Sequence, residues 1–339
     1  MGMLGFNQQQ NHNKVRPVLL SRFPKKSIVF RWALLLVGVA ILAFAITAFV
    51  NAAPQNIESE SGTLSGASSI VSDTSSSNGQ AVEFGTSPLP TGGRSCPPVP
   101  AYPDANCTGV LPAIARTNST TTTVDQDGTV LENINISGRL TINASNVTIK
   151  NIKLTTNDYY GLLIYGQNLT VTDSTFISTS PDTQSVIAAL GTESYSALRV
   201  DISGGPDGIK LGDNTSLTDS YIHDLGAFAS AHNDTVNADG VTNASIIHNR
   251  LLNQLDQTSV LTLDGSGILV KDNWLAGGGY TIYGGAPKSP GNDIVVTNNV
   301  FSRQFFPNVG NWEPIAYWQS VSGNSWTNNT YDDGTPVSN

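Results

Sequence analysis

Three of the four histidines in this chain, His223, His232 and His248, fall within a 26-residue window that also holds Asp224, Asp234 and Asp239. Asp207 and Lys210 lie just upstream, and Asp264 lies downstream. Side chains of these types suit two chemistries. A lysine whose ammonium is disfavoured by burial becomes a general base near neutral pH, which makes Lys210 a candidate base. Asp207, Asp234, Asp239 and Asp264 would then be oxygen donors for a hard cation, with Ca2+ the expected one. Alternatively, two carboxylates held at a fixed separation serve as acid and base, or acid and nucleophile, about a glycosidic bond. His232, in the turn Ala231-His232-Asn233-Asp234, is a candidate general acid in either scheme. Simpler roles compete with these. Asp207 and Asp234 suit backbone capping at turns, Lys210 suits the solvated face of a strand, and His223 and His248 sit inside strand-like runs, DSYIHDL and SIIHNRL, where a structural role is expected.

What must position these groups is a repeat. From about Thr129 onward, short runs recur with apolar residues at alternate positions: VTIKNIKL from Val147, LTVTDSTF from Leu169, YSALRVDI from Tyr195, TSLTDSYI from Thr215, ASIIHNRL from Ala244, ILVKDNWL from Ile268 and IVVTNNVF from Ile294. Successive starts lie 22, 26, 20, 29, 24 and 26 residues apart, a mean of 24.5. Most runs are preceded by a second short strand (LTI, LLI, VIAAL, GIKL, TVNA, LTL), with Gly- or Asn-containing turns between the two. Alternation at period two specifies strands rather than helices. A propeller blade needs about 40–45 residues, so the shorter unit predicts one coil of an all-β parallel β-helix. Asn249, Asn273 and Asn299 recur at one turn of the coil, where hydrogen bonding to backbone and tolerance of left-handed geometry favour Asn.

Coil register sharpens the polar cluster. Aligning PDGIKLG with NDTVNAD places Asp207 beside Asp234, Lys210 beside Asn237 and Gly205 beside His232. The following coil, TSVLTLD, adds Thr262 beside Asn237 and Asp264 beside Asp239. If Ile209, Leu211, Val236 and Ala238 face inward, Lys210, Asn237 and Thr262 face outward from one sheet. Asn237 and Thr262 are therefore candidate substrate-binding residues, as are Tyr280 and Tyr283 in GGGYTIYGG, whose rings suit stacking on sugars. Trp312, Tyr317 and Trp318 in NWEPIAYW either extend such a surface or cap the end of the solenoid.

Composition and charge divide the chain. Six of its 17 Lys and Arg precede Trp32, so the remainder carries 11 − 26 = −15. A balance that acidic excludes a nucleic-acid binder, which needs a concentrated basic surface. Residues 1–31 form a basic segment, and Trp32–Val50 is a 19-residue stretch without charge, long enough to span a bilayer. The flanking charge places residues 1–31 in the cytoplasm and the rest outside. The length favours a retained signal anchor through residues 32–50, while Val50-Asn51-Ala52 leaves signal-peptide cleavage open. Residues 51–101 read as a Ser/Gly/Pro-rich linker. Cys96 and Cys107, the only two cysteines, are expected to form a disulfide in an oxidising compartment.

The run IESESGTLSGASSIVSDTSSSNGQAVEFG, residues 57–85, resembles the opening strands of family 6 and 35 carbohydrate-binding modules, but is too short to close a sandwich. Residues 102–337, with YPDANCTGVLPAI, DGIKLGDN, DSYIHDL, SAHNDTVNADG, GGGYTIYGG and FFPNVGNWEPIAYW in order, resemble exported right-handed parallel β-helix proteins of actinobacterial type within the pectate-lyase-like superfamily. The Asn-Thr-Asp, Asp-Asp, Gly-His-Gly and Arg-Ile-Lys series of polygalacturonase-like hydrolases is absent. The resemblance implies a single-stranded right-handed helix, secreted or membrane-anchored, acting on an extracellular or cell-wall polysaccharide as a monomer. It ranks a lyase cleaving an acidic polymer by β-elimination first, with Lys210 as base and Ca2+ on the aspartates. A non-catalytic glycan-binding or adhesion protein comes second and a glycoside hydrolase third.

Overall fold

The computed structural model describes residues 68–72, 80–84, 94–227, 232–284 and 293–339. The expected cytoplasmic segment and transmembrane or signal helix, and most of the linker, lie outside these residues. Among the described residues no helix is long and apolar enough to cross a membrane. The carbohydrate-module-like run is represented by Ser68–Ser72 paired antiparallel with Gln80–Phe84, within a compact unit that ends at Gly92.

The second unit, Gly93–Asn339, is an all-β parallel solenoid. Every strand pairs in parallel with its counterpart one coil away, as Val171 does with Ile149 and Ala197. The predicted runs each split into two strands at a corner. Thr148–Lys150 joins one sheet and Lys153–Thr156 another, because the chain turns between two inward residues, Ile149 and Ile152. A ten-stranded sheet forms one wall, and a sixteen-stranded sheet forms the others. Its two arms are joined by the long strands Asp234–Ile247 and Ser259–Lys271. Those strands run through the corner where Asp264-Gly265-Ser266 predicts a turn; a register shift between Asp239 and Val241 takes up the bend.

The interior is a column of Ile, Leu and Val, including Ile187, Ile209, Val236, Leu261 and Ile282, all fully buried. Stacking at about 4.8 Å per coil lets each side chain touch the same type above and below. Strict alternation fails along this column. Gly208–Ile209, Thr235–Val236, Val260–Leu261 and Thr281–Ile282 are consecutive buried pairs. A Cβ on Gly208 would meet the interior side chain of Ile222, and the Thr235 hydroxyl donates to the Leu252 carbonyl at 3.3 Å, so the first member of each pair faces inward at the corner.

The recurring asparagines build a ladder. The backbone N–H of Ser220, Asn249, Asn273 and Asn299 each donates to the side-chain oxygen of the Asn one coil on, at 2.9, 2.9, 2.9 and 3.0 Å. Each Asn Nδ2 also donates to a backbone carbonyl, as Asn273 does to Ile246 at 2.8 Å. The left-handed position expected of these Asn residues falls one residue earlier, on His248, Asp272 and Asn298, at φ of 53°, 57° and 57°. The bend precedes the Asn, which leaves its amide pointing into the dry corner.

Cys96 and Cys107 form the expected disulfide. Residues 109–111 lie against the solenoid. The N–H groups of Gly109, Val110 and Leu111 donate to Arg199 O, Thr175 Oγ1 and Asn151 Oδ1 at 2.9, 3.0 and 2.8 Å.

Candidate functional site

The corner irregularity determines where the carboxylates go. Because two consecutive residues turn inward, the residue preceding each pair turns outward. Asp207, Asp234, Ser259 and Tyr280 therefore stack as one outward column, with Ser185 beside Asp207 and Glu313 beside Tyr280 in register. A second outward column, Lys210, Asn237, Thr262 and Tyr283, runs alongside it. The register expected from sequence, including Asp239 beside Asp264, is observed.

The two columns floor a cleft of about 600 Å³. Asp207, His232, Asp234, Asn237, Asp239, Thr262, Tyr280 and Tyr283 line it, as the candidate residues predict. Lys210 stands half-buried in the second column and is not among the described lining residues. Asp264 is 8% exposed and also lies outside the walls. Sequence reasoning missed Gln184 and the loop Asp256-Gln257-Thr258, which close the other side. None of these belongs to a periodic run, so only the coil-to-coil loop geometry brings them in.

Asp207 and Asp234 are each 4% exposed. Asp207 Oδ1 accepts the Asp234 backbone N–H at 3.1 Å, and its Oδ2 accepts Gln184 Nε2 at 3.2 Å. Ser259 Oγ donates to Asp234 Oδ1 at 2.5 Å. Burial pushes the Asp207 carboxyl up to about 7, with the neighbouring Asp234 charge adding to the shift. Burial also raises Asp234, opposed by hydrogen bonds from Ser259 and Thr262. At neutral pH Asp207 is therefore about half protonated, where an ordinary aspartate would have released its proton.

The expected Ca2+ would take six to eight oxygens; among the described residues no group of three or more His, Cys, Asp or Glu converges on one point. Both Asp207 oxygens are already hydrogen-bonded. No step is derived through a metal.

His223 and His248 belong elsewhere. His223 lies on the ten-stranded sheet, stacked on Tyr221 with centroids 4.1 Å apart. Burial pulls its pKa down, but the carboxylates of Asp201, 3.5 Å from its Nε2, and Asp224, hydrogen-bonded to its Nδ1, outweigh this and hold it above the usual imidazole value. His248 Nδ1 meets Asp219 at 2.5 Å and its Nε2 lies 3.1 Å from the Ala101 carbonyl. Neither histidine lines the cleft.

The aromatics divide in the same way. Trp318 packs on the hydrophobic core and on Trp326, centroids 5.3 Å apart, as a cap. Trp312 is 63% exposed and lines the cleft, its backbone N–H fixed to the Gly279 carbonyl at 2.9 Å. A pinned backbone carrying a bare ring is a ready stacking platform. Trp312→Ala should weaken binding of any glycan in this cleft by about five-fold, an aromatic stack being worth about 1 kcal/mol, with the unfolding midpoint unchanged. Unchanged affinity in calorimetry would remove Trp312 from the site.

No known protein family matches the chain, and no curated protein matches it. Among solved structures, the crystal structure of pectate lyase Pel9A is similar at a TM-score of 0.39 and 14% identity, covering 70% of this chain and 72% of that one. A likeness of that size says nothing about a shared reaction.

Proposed function

We propose that this protein is an exported or membrane-tethered enzyme that cleaves a polysaccharide, with Asp207 and Asp234 as its acid–base pair. The observation that carries this is the pair of adjacent buried carboxyls at the floor of an aromatic-walled cleft, one of them raised to about 7. A carboxyl that is half protonated near neutrality can deliver a proton to a departing glycosidic oxygen. Asp234, one coil away, would stabilise or attack the sugar carbon, or activate a water. Tyr280, Tyr283 and Trp312 offer flat apolar surfaces to the sugar rings, and Asn237 and Thr262 offer hydrogen bonds to hydroxyls.

β-Elimination with Lys210 as base is the second reading. It is favoured by one observation: Lys210 faces outward three residues after Asp207, close enough for its charge to pull the Asp207 pKa down. Product chemistry separates the two. The full-length chain, in mild detergent, should release reducing ends from a polysaccharide panel without the ultraviolet absorbance of unsaturated ends. Asp234→Asn should lower that rate by about 10²–10⁴-fold, and Lys210→Ala should leave it within about three-fold. Unsaturated products lost in Lys210→Ala would establish elimination instead. Glycan binding with no product from any polymer would make the chain a non-catalytic binder.

A further inference from the structure

The outward column that carries the two carboxyls continues in both directions. From coil to coil it reads Tyr160, Ser185, Asp207, Asp234, Ser259 and Tyr280, in parallel register throughout. A tyrosine thus stands two coils from the carboxyl pair on either side, about 10 Å away at the usual strand spacing. Between each tyrosine and the pair lies one fully buried serine, Ser185 or Ser259. The Tyr280 end belongs to the cleft, and the Tyr160 end lies beside Gln184, which closes the cleft wall there. Tyr159 and Tyr160 meet edge to face with centroids 4.8 Å apart, and Tyr159 is 57% exposed. Neither ring belongs to the hydrophobic core. The Tyr159 hydroxyl donates to Gln184 Oε1 at 3.3 Å, and Gln184 Nε2 donates to Asp207 Oδ2, so the aromatic pair is hydrogen-bonded in series to the acid. Burial raises the Tyr160 hydroxyl pKa, and Tyr159, Tyr165 and Asp207 add to the rise, which puts this ring within electrostatic reach of the carboxyl. The Ser185 hydroxyl is buried without a hydrogen-bond partner, whereas that of Ser259 donates to Asp234.

We infer that Tyr159 and Tyr160 form a second carbohydrate-binding subsite, across the carboxyl pair from Tyr280 and Trp312. The inference rests on the glycan-cleaving reading above. A linear polysaccharide lies along the coil axis, its sugar faces against an aromatic at each end and a glycosidic bond over Asp207 and Asp234 between them. Each coil advances about 4.8 Å, close to the length of one sugar in an extended chain, so Tyr160 and Tyr280 lie about five sugars apart. Sugars held on both sides of the pair make the cut internal rather than at a chain end.

The test uses the full-length chain in mild detergent, carrying Asp234→Asn so that ligands bind without turnover. It is titrated calorimetrically with tri- and hexasaccharides of β-linked xylose, mannose and N-acetylglucosamine and of α-linked galacturonate. For the sugars that bind, Tyr160→Ala should weaken the hexasaccharide about five-fold and Tyr160→Phe should leave it unchanged, a stacked ring being worth about 1 kcal/mol. Tyr160→Ala combined with Trp312→Ala should cost the hexasaccharide about twenty-five-fold, because contacts this far apart add. A trisaccharide reaches one end only and should lose about five-fold in the combined variant. Tyr159→Ala, at a ring already more than half exposed, should weaken the hexasaccharide with the unfolding midpoint unchanged, which excludes an effect through the fold. Hexasaccharide affinity unchanged in Tyr159→Ala and Tyr160→Ala but weakened in Trp312→Ala would overturn the inference and leave the glycan cleft standing. Failure of every oligosaccharide to bind would overturn both.

Discussion

Asp207→Asn should abolish glycan cleavage and, in the same molecule, make the fold more stable above neutral pH. The catalytic loss follows from removing the acidic proton, and should reach about 10²–10⁴-fold. The stability gain follows from linkage. The Asp207 carboxyl titrates near 7 in the folded protein against an ordinary value of 3.8. Between those values the folded state holds a proton that the unfolded state has released. The unfolded state therefore binds fewer protons, and stability falls as pH rises from about 4 to about 7, then levels off. A ten-fold difference in proton affinity between the two states is worth about 1.4 kcal/mol, so the cost at pH 8 is on the order of 2–4 kcal/mol. Asparagine carries no charge to bury and retains an oxygen for the Asp234 N–H. Denaturant unfolding at pH 4 and pH 8 checks the sign: the variant should match the parent at pH 4 and exceed it at pH 8. A variant less stable than the parent at both values would mean that Asp207 is a structural carboxylate, kept for its hydrogen bonds.

The largest purely structural effect is expected at the Asn ladder. Asn273→Ala removes an oxygen that accepts from both the backbone N–H and the Nδ2 of Asn249, at 2.9 and 3.0 Å. It also removes an amide that donates to the Ile246 carbonyl and to Asn299, at 2.8 and 2.9 Å. All of these groups are buried. With several buried groups orphaned at about 1–3 kcal/mol each and partial relaxation, the loss should be about 4 kcal/mol. Amide hydrogen exchange should show it as lost protection in the coils on either side, from Ile246 to Asn299. Thr297→Ala, on the outer face of the next coil, removes one exposed hydroxyl contact to Thr327 and should cost less than about 0.5 kcal/mol. A cost below about 1 kcal/mol for Asn273→Ala would mean that the stack of apolar residues carries the corner without the ladder.

Much of the site is legible in the sequence alone. The coil period and the alignment of PDGIKLG, NDTVNAD and TSVLTLD place Lys210 beside Asn237 and Thr262, and Asp239 beside Asp264, because a parallel coil returns each residue to its own column. Unbroken alternation, by contrast, is a false guide at the corner. By that rule Asp207 shares the inward phase of Ile209, and Asp234 that of Val236. The consecutive buried pairs Gly208–Ile209 and Thr235–Val236 reverse the phase and bring both carboxyls to the cleft floor. The same sheet geometry leaves Lys210 out of the described walls, although its spacing from Asp207 makes it the conspicuous base in the sequence. Asp256 and Trp312 come from loops between coils, and no period constrains a loop.

The sequence by itself determined the solenoid, its column register, the asparagine ladder and the disulfide, since each is a consequence of local pattern repeated at a nearly constant interval. Only the tertiary structure decided which polar residues share a cleft and which carboxyl keeps its proton. Both depend on how a corner bends and on how much water the neighbouring coils exclude, and these are properties of packing between segments about 25 residues apart rather than of either segment alone.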